Sequence, residues 1–449
     1  MANSRENFGS SMAAVMAMAG SAIGLGNIWR FPYMVGQNGG AAFIILYLGC
    51  VVFLALPILL TESILGRRTQ SNTFGAMEKL APGSRWKWLG FLTVFSPLII
   101  LSFYSVVGGW SIEYFLESLF RGLGSDVGGH FASFTSSVWG PLGCHTAFMV
   151  VTALIVLAGV RSGIEKFNKI SLPLLFILIM VVVIYSLTLP GSSEGVRYLV
   201  KPDFASIKAG TFADAMGQAF FSLSLGVGTI LTYSSYMKKE ANLLSSGLGT
   251  AMFDMIFAVI AGFAVMPAVF AAGMEPGAGP GLIFESLPFI FVKMGAAAPL
   301  ISRVVSILFF LTIVIAALTS SISMFEVGVA YLVEEKGVSR KVAVAGIFAG
   351  CWILGGLCSL SFGPLADFKL FGRTIFDFCD ILTSNFLMTF GALLFVLFVG
   401  WKMEKAGVRD EFTNGGTAGF NCKVFPAVYF LIRYIAPIVI LTIFITSNI

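Results

Sequence analysis

Residues 20–33 read Gly-Ser-Ala-Ile-Gly-Leu-Gly-Asn-Ile-Trp-Arg-Phe-Pro-Tyr, and they lie inside a stretch that is otherwise apolar enough to cross a membrane. In hydrocarbon every backbone N–H and C=O needs an internal partner, so a helix is interrupted only where protein or a water-filled cavity supplies one. Glycine tolerates unwound backbone and allows a ligand to approach closely. A break between Gly20 and Arg30 would free carbonyl oxygens for a cation and a helix N-terminus for an anion. The stretch therefore predicts a binding site near the middle of a membrane.

The composition is that of a polytopic helical membrane protein. The chain has 449 residues, of which 57% are hydrophobic and 11% are charged, and its mean hydropathy is +0.91. Soluble domains carry roughly twice that share of charged residues. Runs of about 20 apolar residues are long enough to span a bilayer as helices. They predict an all-α fold with eleven spans, at approximately 10–36, 41–66, 88–120, 143–160, 168–190, 212–237, 243–273, 302–334, 342–361, 374–400 and 424–446.

Lysine and arginine predict the orientation of these spans. With the N-terminus in the cytoplasm, 18 of the 28 basic residues lie on the cytoplasmic side and eight lie outside, while Arg30 and Arg433 fall within spans. Cytoplasmic loops carry the excess of positive charge, so we expect the N-terminus inside and the C-terminus outside. The net charge of +5 then follows from topology and requires no nucleic-acid partner. We expect no cleavable signal, because the first apolar stretch carries the glycine-rich motif instead of a cleavage site.

A second interrupted span repeats the first pattern. Gly226 and Gly228, with hydroxyl residues beside them, resemble Gly24 and Gly26 about two hundred residues earlier. The two breaks fall in spans one and six, so the second five-span unit begins on the opposite side of the membrane. Paired broken helices of this kind indicate a transport site between inverted repeats. The alternative is that both glycine pairs are small-residue packing faces. The predicted units are 1–190 and 191–400, followed by a cytoplasmic loop and the eleventh span at 401–449.

These motifs resemble the neurotransmitter:sodium symporter family. The matching blocks are Gly20–Tyr33, Gln218–Tyr236, Ala316–Ser323 and Phe376–Asp380. The resemblance extends from about Arg5 to the tenth span. It implies a LeuT-like 5+5 inverted repeat with broken helices one and six, and sodium-coupled transport by alternating access. Eleven spans resemble a bacterial subgroup that takes up hydrophobic or aromatic amino acids across the cytoplasmic membrane.

The resemblance implies two sodium sites. Sodium requires about five or six hard oxygen ligands, and an unwound helix offers carbonyls without charged side chains. One site would use the carbonyls of Gly20, Ile23 and Ala316 and the hydroxyls of Thr319 and Ser320. The alternative for the two hydroxyls is that they only bond back to carbonyls of their own helix. The other site would use the Ala22 carbonyl, Asn27, Ser222 and Asp254.

Asp254 departs from the commoner pattern of the family. Members usually have Asn at this position, and chloride-dependent members have Ser one turn later, where this chain has Ala258. A carboxylate in an apolar span is a functional residue by default. We expect Asp254 to supply the fixed negative charge that chloride supplies in relatives, beside Tyr47, Gln218 and Ser222, which makes transport chloride-independent. The alternative is a buried Asp that neighbouring hydroxyls satisfy.

Gly24 indicates the substrate class by resemblance. Monoamine carriers have Asp at this position, whereas glycine leaves room for the carboxylate of an α-amino acid. The apolar and adaptable lining predicts a hydrophobic or aromatic side chain on the substrate. By periodicity alone, several of these residues would be ordinary core. The expected binding residues are Ala22, Gly24, Gly26, Ile100, Tyr104, Phe221, Ser224, Gly226, Val227, Gly228, Ser320 and Met324.

Charged residues at both ends of the site predict gates. By resemblance, Arg30 and Asp380 form the outer gate. Pairing an arginine with a carboxylate is the arrangement that holds such charges in a low dielectric at the lowest free-energy cost. On the cytoplasmic side, Arg5 and Glu334 match a latch. For Arg5 the alternative is a positive charge that only orients the first span.

Two further features concern the backbone. Gly163 and Pro173, at the start of span five, weaken a helix and therefore predict a stretch that can unwind. The alternative is a simple helix start after a loop. Glu62 in span two is expected to bond N–H groups that the break in span six leaves free.

Other functions fit the sequence less well. A channel would need a selectivity filter or a continuous polar face. An intramembrane enzyme would need a motif such as His-Glu-x-x-His, whereas the two histidines, His130 and His145, are both expected near the outer side. A proton-coupled transporter of the same fold is the closest alternative, and it would be expected to lack the Thr319 and Ser320 pair. We expect two sodium ions, an amino acid and membrane lipid as the ligands, with no organic cofactor, nucleic acid or obligatory protein partner.

Overall fold

The computed structural model describes residues 6–208, 210–274, 282–295 and 298–446. Within these ranges the chain is helical and forms no strand, which confirms the all-α fold class. Nine of the described helices are long and apolar enough to cross a membrane. They are α2 (Ala41–Thr69), α3 (Lys87–Phe120), α4 (Trp139–Leu157), α5 (Val160–Thr188), α7 (Leu243–Ala271), α8 (Pro299–Lys336), α9 (Arg340–Leu360), α10 (Ile375–Lys402) and α11 (Gly419–Ile445).

The two spans with paired glycines are broken. In the first, α1a (Ser11–Ala22) and α1b (Gly26–Gln37) meet at an angle of 56°. In the second, α6a (Thr211–Ser222) and α6b (Thr229–Ser234) are separated by residues 223–228. Helices α6a and α6b have 12 and 6 residues, so neither is long enough by itself to cross a membrane. The expected eleven spans therefore correspond to nine continuous helices and two broken ones.

Shorter helices, which the hydropathy pattern did not reveal, connect the spans. Three of them follow side-chain caps, because Asn72, Asp126 and Asp203 each accept a hydrogen bond from a backbone N–H two or three residues later. Helix α5 begins eight residues earlier than expected, since a π-helical turn at Val160–Glu165 carries it through polar residues. The connecting helices are Thr73–Leu80, Val127–Ser136, Ser192–Val200, Phe204–Ser206, Leu282–Ser286, Leu287–Gly295 and Lys405–Thr413.

The broken helices lie at the centre of the bundle. Helix α1a packs against α5, α7 and α8, and α6b packs against α2 and α8. The continuous helices therefore shield the unwound backbone from lipid, as burial of interrupted membrane helices requires.

Candidate substrate and sodium site

The first break places free backbone groups in the protein interior. Helix α1a ends at Ala22, and Ile23 is extended, with φ −72° and ψ 106°. The Asn27 side chain stabilises the break, because its Oδ1 accepts a hydrogen bond from the Gly24 N–H at 3.1 Å. The Ser21 carbonyl just before the break accepts hydroxyl hydrogen bonds from neighbouring helices. Carbonyl oxygens are therefore available where a cation or an ammonium group could use them.

The second break depends on left-handed backbone. Ser224, Gly226 and Gly228 have φ values of +52°, +81° and +75°. A Cβ added to Gly226 would lie 2.0 Å from the Met388 carbonyl oxygen, so only glycine fits there. The Gly226 N–H donates to Glu62 Oε1 at 2.8 Å, as expected from the sequence. A buried carboxylate from α2 thus replaces the helical partner that the break removes.

A small cavity of about 50 Å³ lies between the two breaks. Tyr104 closes one side, and its hydroxyl accepts a hydrogen bond from the Leu25 N–H at 3.2 Å. Most of the wall is apolar, with hydroxyl groups at one end. The lining residues are Ala22, Gly24, Leu25, Gly26, Ile100, Tyr104, Phe221, Ser222, Ser224, Val227, Ser320, Met324 and Met388.

The lining differs from the expected set in five places, one of which is Ser222, a residue expected as a sodium ligand and not as part of the lining. Gly226 and Gly228 do not line the cavity, because their role is to shape the backbone of the break. Leu25 and Met388 do line it, although sequence reasoning did not select them. Leu25 stands between two selected glycines, which could have indicated it. Met388 lies in an apolar run of α10, and only its packing against the α6 break brings it to the site.

Asp254 is the centre of a buried hydrogen-bond cluster. Its side chain has 0% solvent exposure. Oδ1 accepts from Asn27 Nδ2 at 2.7 Å, and Oδ2 accepts from the Tyr47 hydroxyl at 3.2 Å. The Ser222 hydroxyl lies 2.8 Å from both oxygens. Four helices therefore converge on one carboxylate, and the cluster offers several hard oxygen atoms beside the first break.

Gln218 bonds to the α1 break and not to the Asp254 carboxylate. Its Nε2 donates to the Gly26 carbonyl at 3.3 Å, and the part of the chain that the structure describes gives its Oε1 no hydrogen-bond partner. It does not contact the Asp254 carboxylate by a hydrogen bond, because its amide is directed toward α1b instead. Of the three expected neighbours of Asp254, Tyr47 and Ser222 donate hydrogen bonds to its carboxylate.

The second group of oxygen ligands lies between α1a and α8. The Thr319 hydroxyl lies 3.0 Å from the Ile23 carbonyl and 2.8 Å from the Ala316 carbonyl. The Ser320 hydroxyl lies 3.1 Å from the Ser21 carbonyl and 3.4 Å from that of Ile23. Both hydroxyls thus bond to the broken helix, and Thr319 also bonds to its own helix. Four of the five expected oxygen atoms, those of Ile23, Ala316, Thr319 and Ser320, lie close together.

Asn168 of α5 adjoins this second group, and sequence reasoning missed it. A Cβ added to Gly20 would lie 2.0 Å from Asn168 Oδ1. Asn168 Nδ2 donates to the Ile164 carbonyl at 2.9 Å, whereas its buried Oδ1 has no partner among the described residues. Its position midway between Gly163 and Pro173 was the signal available in the sequence. The segment of α5 between Gly163 and Pro173 is therefore in direct contact with α1a, close to its break.

The expected outer gate is not a direct ion pair in this structure. Arg30 lies over the Phe221 ring, 4.7 Å from its centroid. Asp380 accepts from Ser384 at 3.0 Å, and among the described side chains no Arg30 nitrogen comes within 4.0 Å of its oxygens. The two charges still interact at longer range. The guanidinium covers the cavity through a cation–π contact with one of its walls.

The latch expected on the cytoplasmic side is only partly described. Arg5 lies outside the described residues, and the Glu334 carboxylate accepts from the Asn72 N–H at 2.8 Å. Sequence reasoning missed a neighbouring network around Glu326, which pairs with Arg340 at 2.5 Å and accepts from the Tyr236 hydroxyl at 2.8 Å. Burial of Glu326 on α8 requires such a partner.

The chain was then compared with known proteins. Residues 5–132 and 131–449 match the family model described as the sodium:neurotransmitter symporter family. The chain belongs to this family. An uncharacterized sodium-dependent transporter of Bacillus subtilis is 39% identical over 441 residues, covering 97% of this chain and 96% of the relative. One of Haemophilus influenzae is 34% identical over 460 residues, covering 99% of this chain and 98% of the relative.

A solved structure with the same fold supports this membership. The crystal structure of MhsT in complex with L-phenylalanine has a TM-score of 0.89 and 39% sequence identity to this symporter-family chain. It covers 99% of this chain and 100% of the MhsT chain. The chain is thus a multi-pass, sodium-dependent transporter with the LeuT-like fold, which confirms the family, fold class and use of sodium expected from the sequence.

Proposed function

We propose that the protein is a symporter that imports hydrophobic or aromatic L-amino acids with sodium. The observation that carries this proposal is the apolar cavity bounded at one end by unwound backbone and hydroxyl groups. Its walls include Ile100, Phe221, Val227 and Met324, which suit a large apolar side chain. The complex of MhsT with L-phenylalanine supports the same substrate class.

The polar end of the cavity suits the two charged groups of an amino acid. Carbonyl oxygens around Ala22, Phe221 and Ser224 would accept from an ammonium group. The Tyr104 hydroxyl and the N–H groups at the start of α1b are placed to donate to a carboxylate. Gly24 adds no side chain that would compete with that carboxylate, and a Cβ there would also overlap the Ser320 hydroxyl at 2.4 Å.

Two sodium ions are proposed as co-substrates at the two oxygen-rich groups. One would lie among Gly20, Ile23, Ala316, Thr319 and Ser320. The other would lie among the Ala22 carbonyl, Asn27, Ser222 and Asp254, close to the substrate carboxylate. Coupling follows because each ion stabilises the broken helices in the conformation that also binds the substrate.

The charge of Asp254 is proposed to replace chloride. A carboxylate and a sodium ion about 4 Å apart attract by roughly 4 kcal/mol at an effective dielectric constant of 20. Hydrogen bonds from Asn27, Tyr47 and Ser222 hold the carboxylate in place beside the proposed ion. A fixed negative charge of this kind makes a mobile anion unnecessary.

Alternating access would open this site to each side in turn. We propose Arg30 with Asp380 as the outer gate, Arg5 with Glu334 as the inner latch, and unwinding between Gly163 and Pro173 as the exit for sodium. The moving units would be the repeats 1–190 and 191–400, in a bacterial cytoplasmic membrane with the N-terminus inside.

Uptake into proteoliposomes tests the proposed function. Radiolabelled leucine, phenylalanine, tyrosine and tryptophan are offered under separate sodium, proton and chloride gradients. We expect uptake with an inward sodium gradient that persists when gluconate replaces chloride. Uptake driven by protons alone would instead support the proton-coupled alternative, and competition by glutamate or lysine ahead of all neutral amino acids would show that the cavity is misinterpreted.

The Asp254→Asn variant tests the charge directly. Loss of the carboxylate should lower sodium affinity at least about tenfold, since the interaction removed is worth several kcal/mol. Sodium dependence of amino-acid uptake measures this affinity, and Asp367→Asn in an exposed loop is the matched control. An unchanged sodium dependence in Asp254→Asn would contradict the proposed charge role.

A further inference from the structure

Arg433 is a positive charge about halfway along the sequence of helix α11. It lies in a π-helical turn at Leu431–Ile435 and is partly buried. Its guanidinium lies 4.6 Å from the Trp401 ring centroid and 5.6 Å from that of Tyr434. The mechanism proposed above does not use this group, and an intramembrane arginine requires a partner.

The protein itself supplies little to this charge. Among the described residues, no carboxylate oxygen lies within 4.0 Å of the guanidinium, and Arg433 Nε is buried without a hydrogen-bond partner. Arg433 Nη1 has only a long contact of 3.4 Å to the Tyr429 hydroxyl, which already donates to the Gly400 carbonyl at 3.1 Å. The unmet demand is for an anionic oxygen ligand.

Helix α10 fixes the depth of the site. Trp401 Nε1 donates to the Arg433 carbonyl at 2.9 Å, and Trp401 is the last residue but one of α10. Arg433 therefore lies level with the end of α10, where exposed Lys402 and Lys405 follow. Lys405 lies 5.4 Å from the Tyr429 ring centroid, and exposed Glu404 is the opposing charge of this segment.

The aromatic residues beside Arg433 lie on the outer surface of the helix bundle. Trp401 is 57% exposed and Tyr434 is 44% exposed on the outer surface of the bundle. Aromatic residues of this kind are enriched at the level of lipid headgroups. Basic pockets between membrane helices on the cytoplasmic side suit anionic headgroups. We name this site the α10–α11 basic cleft. It comprises Trp401, Lys402, Lys405, Arg433 and Tyr434.

We propose that the α10–α11 basic cleft binds the phosphate of an anionic phospholipid from the cytoplasmic leaflet. The phosphate oxygens accept from Arg433, with Lys402 and Lys405 adding long-range attraction. The acyl chains lie along the exposed rings of Trp401 and Tyr434. The lipid thereby supplies the anionic partner that the protein does not provide.

Fluorescence quenching by brominated lipid tests this site in the full-length protein. The protein is reconstituted in phosphatidylcholine vesicles in which about one-fifth of the lipid is brominated phosphatidylglycerol or, separately, brominated phosphatidylcholine. The Trp401 signal is the difference between the wild-type protein and Trp401→Phe. We expect the anionic lipid to quench this signal at least about threefold more than the neutral lipid.

Variants and buffer anions separate the possible causes. Arg433→Gln should abolish the preference for the anionic lipid, whereas Lys166→Gln, at the same membrane face, should retain it. Inorganic phosphate in the buffer should leave the preference unchanged. Equal quenching by the two lipids in the wild-type protein would overturn the proposal. A preference for the anionic lipid that persists in Arg433→Gln would also overturn it. Loss of the preference in phosphate buffer would assign the cleft to a free anion and overturn the lipid site.

Discussion

At the scale of single residues, the site depends on glycines that no other residue can replace. Gly226 combines a positive φ with an approach to the Met388 carbonyl that excludes any side chain. Gly20 is held equally closely by Asn168. The sequence motifs identified these positions as breaks, but the partner that forbids a side chain comes from a distant helix in both cases.

Gly226→Ala should destabilise the protein strongly. A non-glycine residue in left-handed backbone costs about 1–2 kcal/mol, and forced overlap in a packed interior costs a further 1–3 kcal/mol or so. We therefore expect a clear fall in the apparent melting temperature in detergent. Gly217→Ala, in helical backbone of α6a with open space around it, is the matched control and should have little effect. Equal melting temperatures for the two variants would contradict this prediction.

At the scale of elements, α5 is weak where it touches the proposed sodium ligands. Its first turn is π-helical, a geometry often found at functional sites. Pro173 lies inside the helix and cannot donate a backbone hydrogen bond. Between them, Asn168 leaves a buried oxygen unpaired beside Gly20. Helix α5 is thus intact in this structure but has the features of a segment that opens locally.

Pro173→Ala should stiffen α5 and slow sodium release. Proline costs an interior helix position about 3 kcal/mol, so its removal should raise hydrogen-exchange protection over 163–173 at least about tenfold. Hydrogen exchange by mass spectrometry and sodium efflux from loaded protein measure the two effects. Pro426→Ala in α11 is the control for removal of a helical proline elsewhere. Unchanged sodium release in Pro173→Ala would contradict the role proposed for this segment.

At the scale of the whole molecule, the fold places two broken helices inside a shell of continuous ones. The hydropathy pattern predicted the continuous helices well, because each is a local run of apolar residues. It did not predict the connecting helices or the early start of α5, since these depend on caps and turns. The Lys and Arg distribution predicts the orientation in the membrane, and that prediction needs a separate measurement.

Labelling of introduced cysteines tests the orientation. In a background with Cys144→Ser and Cys422→Ser, a cysteine is introduced at the exposed position of Lys369 or of Arg85. We expect a membrane-impermeant maleimide to label Lys369→Cys in intact cells and Arg85→Cys only after permeabilisation, because basic loops are retained in the cytoplasm. The reverse pattern would show that the orientation predicted from charge is wrong.

The sequence by itself determined the class of protein, the helical spans, the two breaks and the family. These are local properties, set by runs of apolar residues and by glycines within them. Only the tertiary structure decided which distant groups meet. It placed Met388 in the cavity wall, Arg30 on Phe221, Gln218 on the Gly26 carbonyl, Asn168 against Gly20 and Arg433 beside Trp401. Such contacts depend on how whole helices pack, and no periodicity along one helix specifies its neighbour.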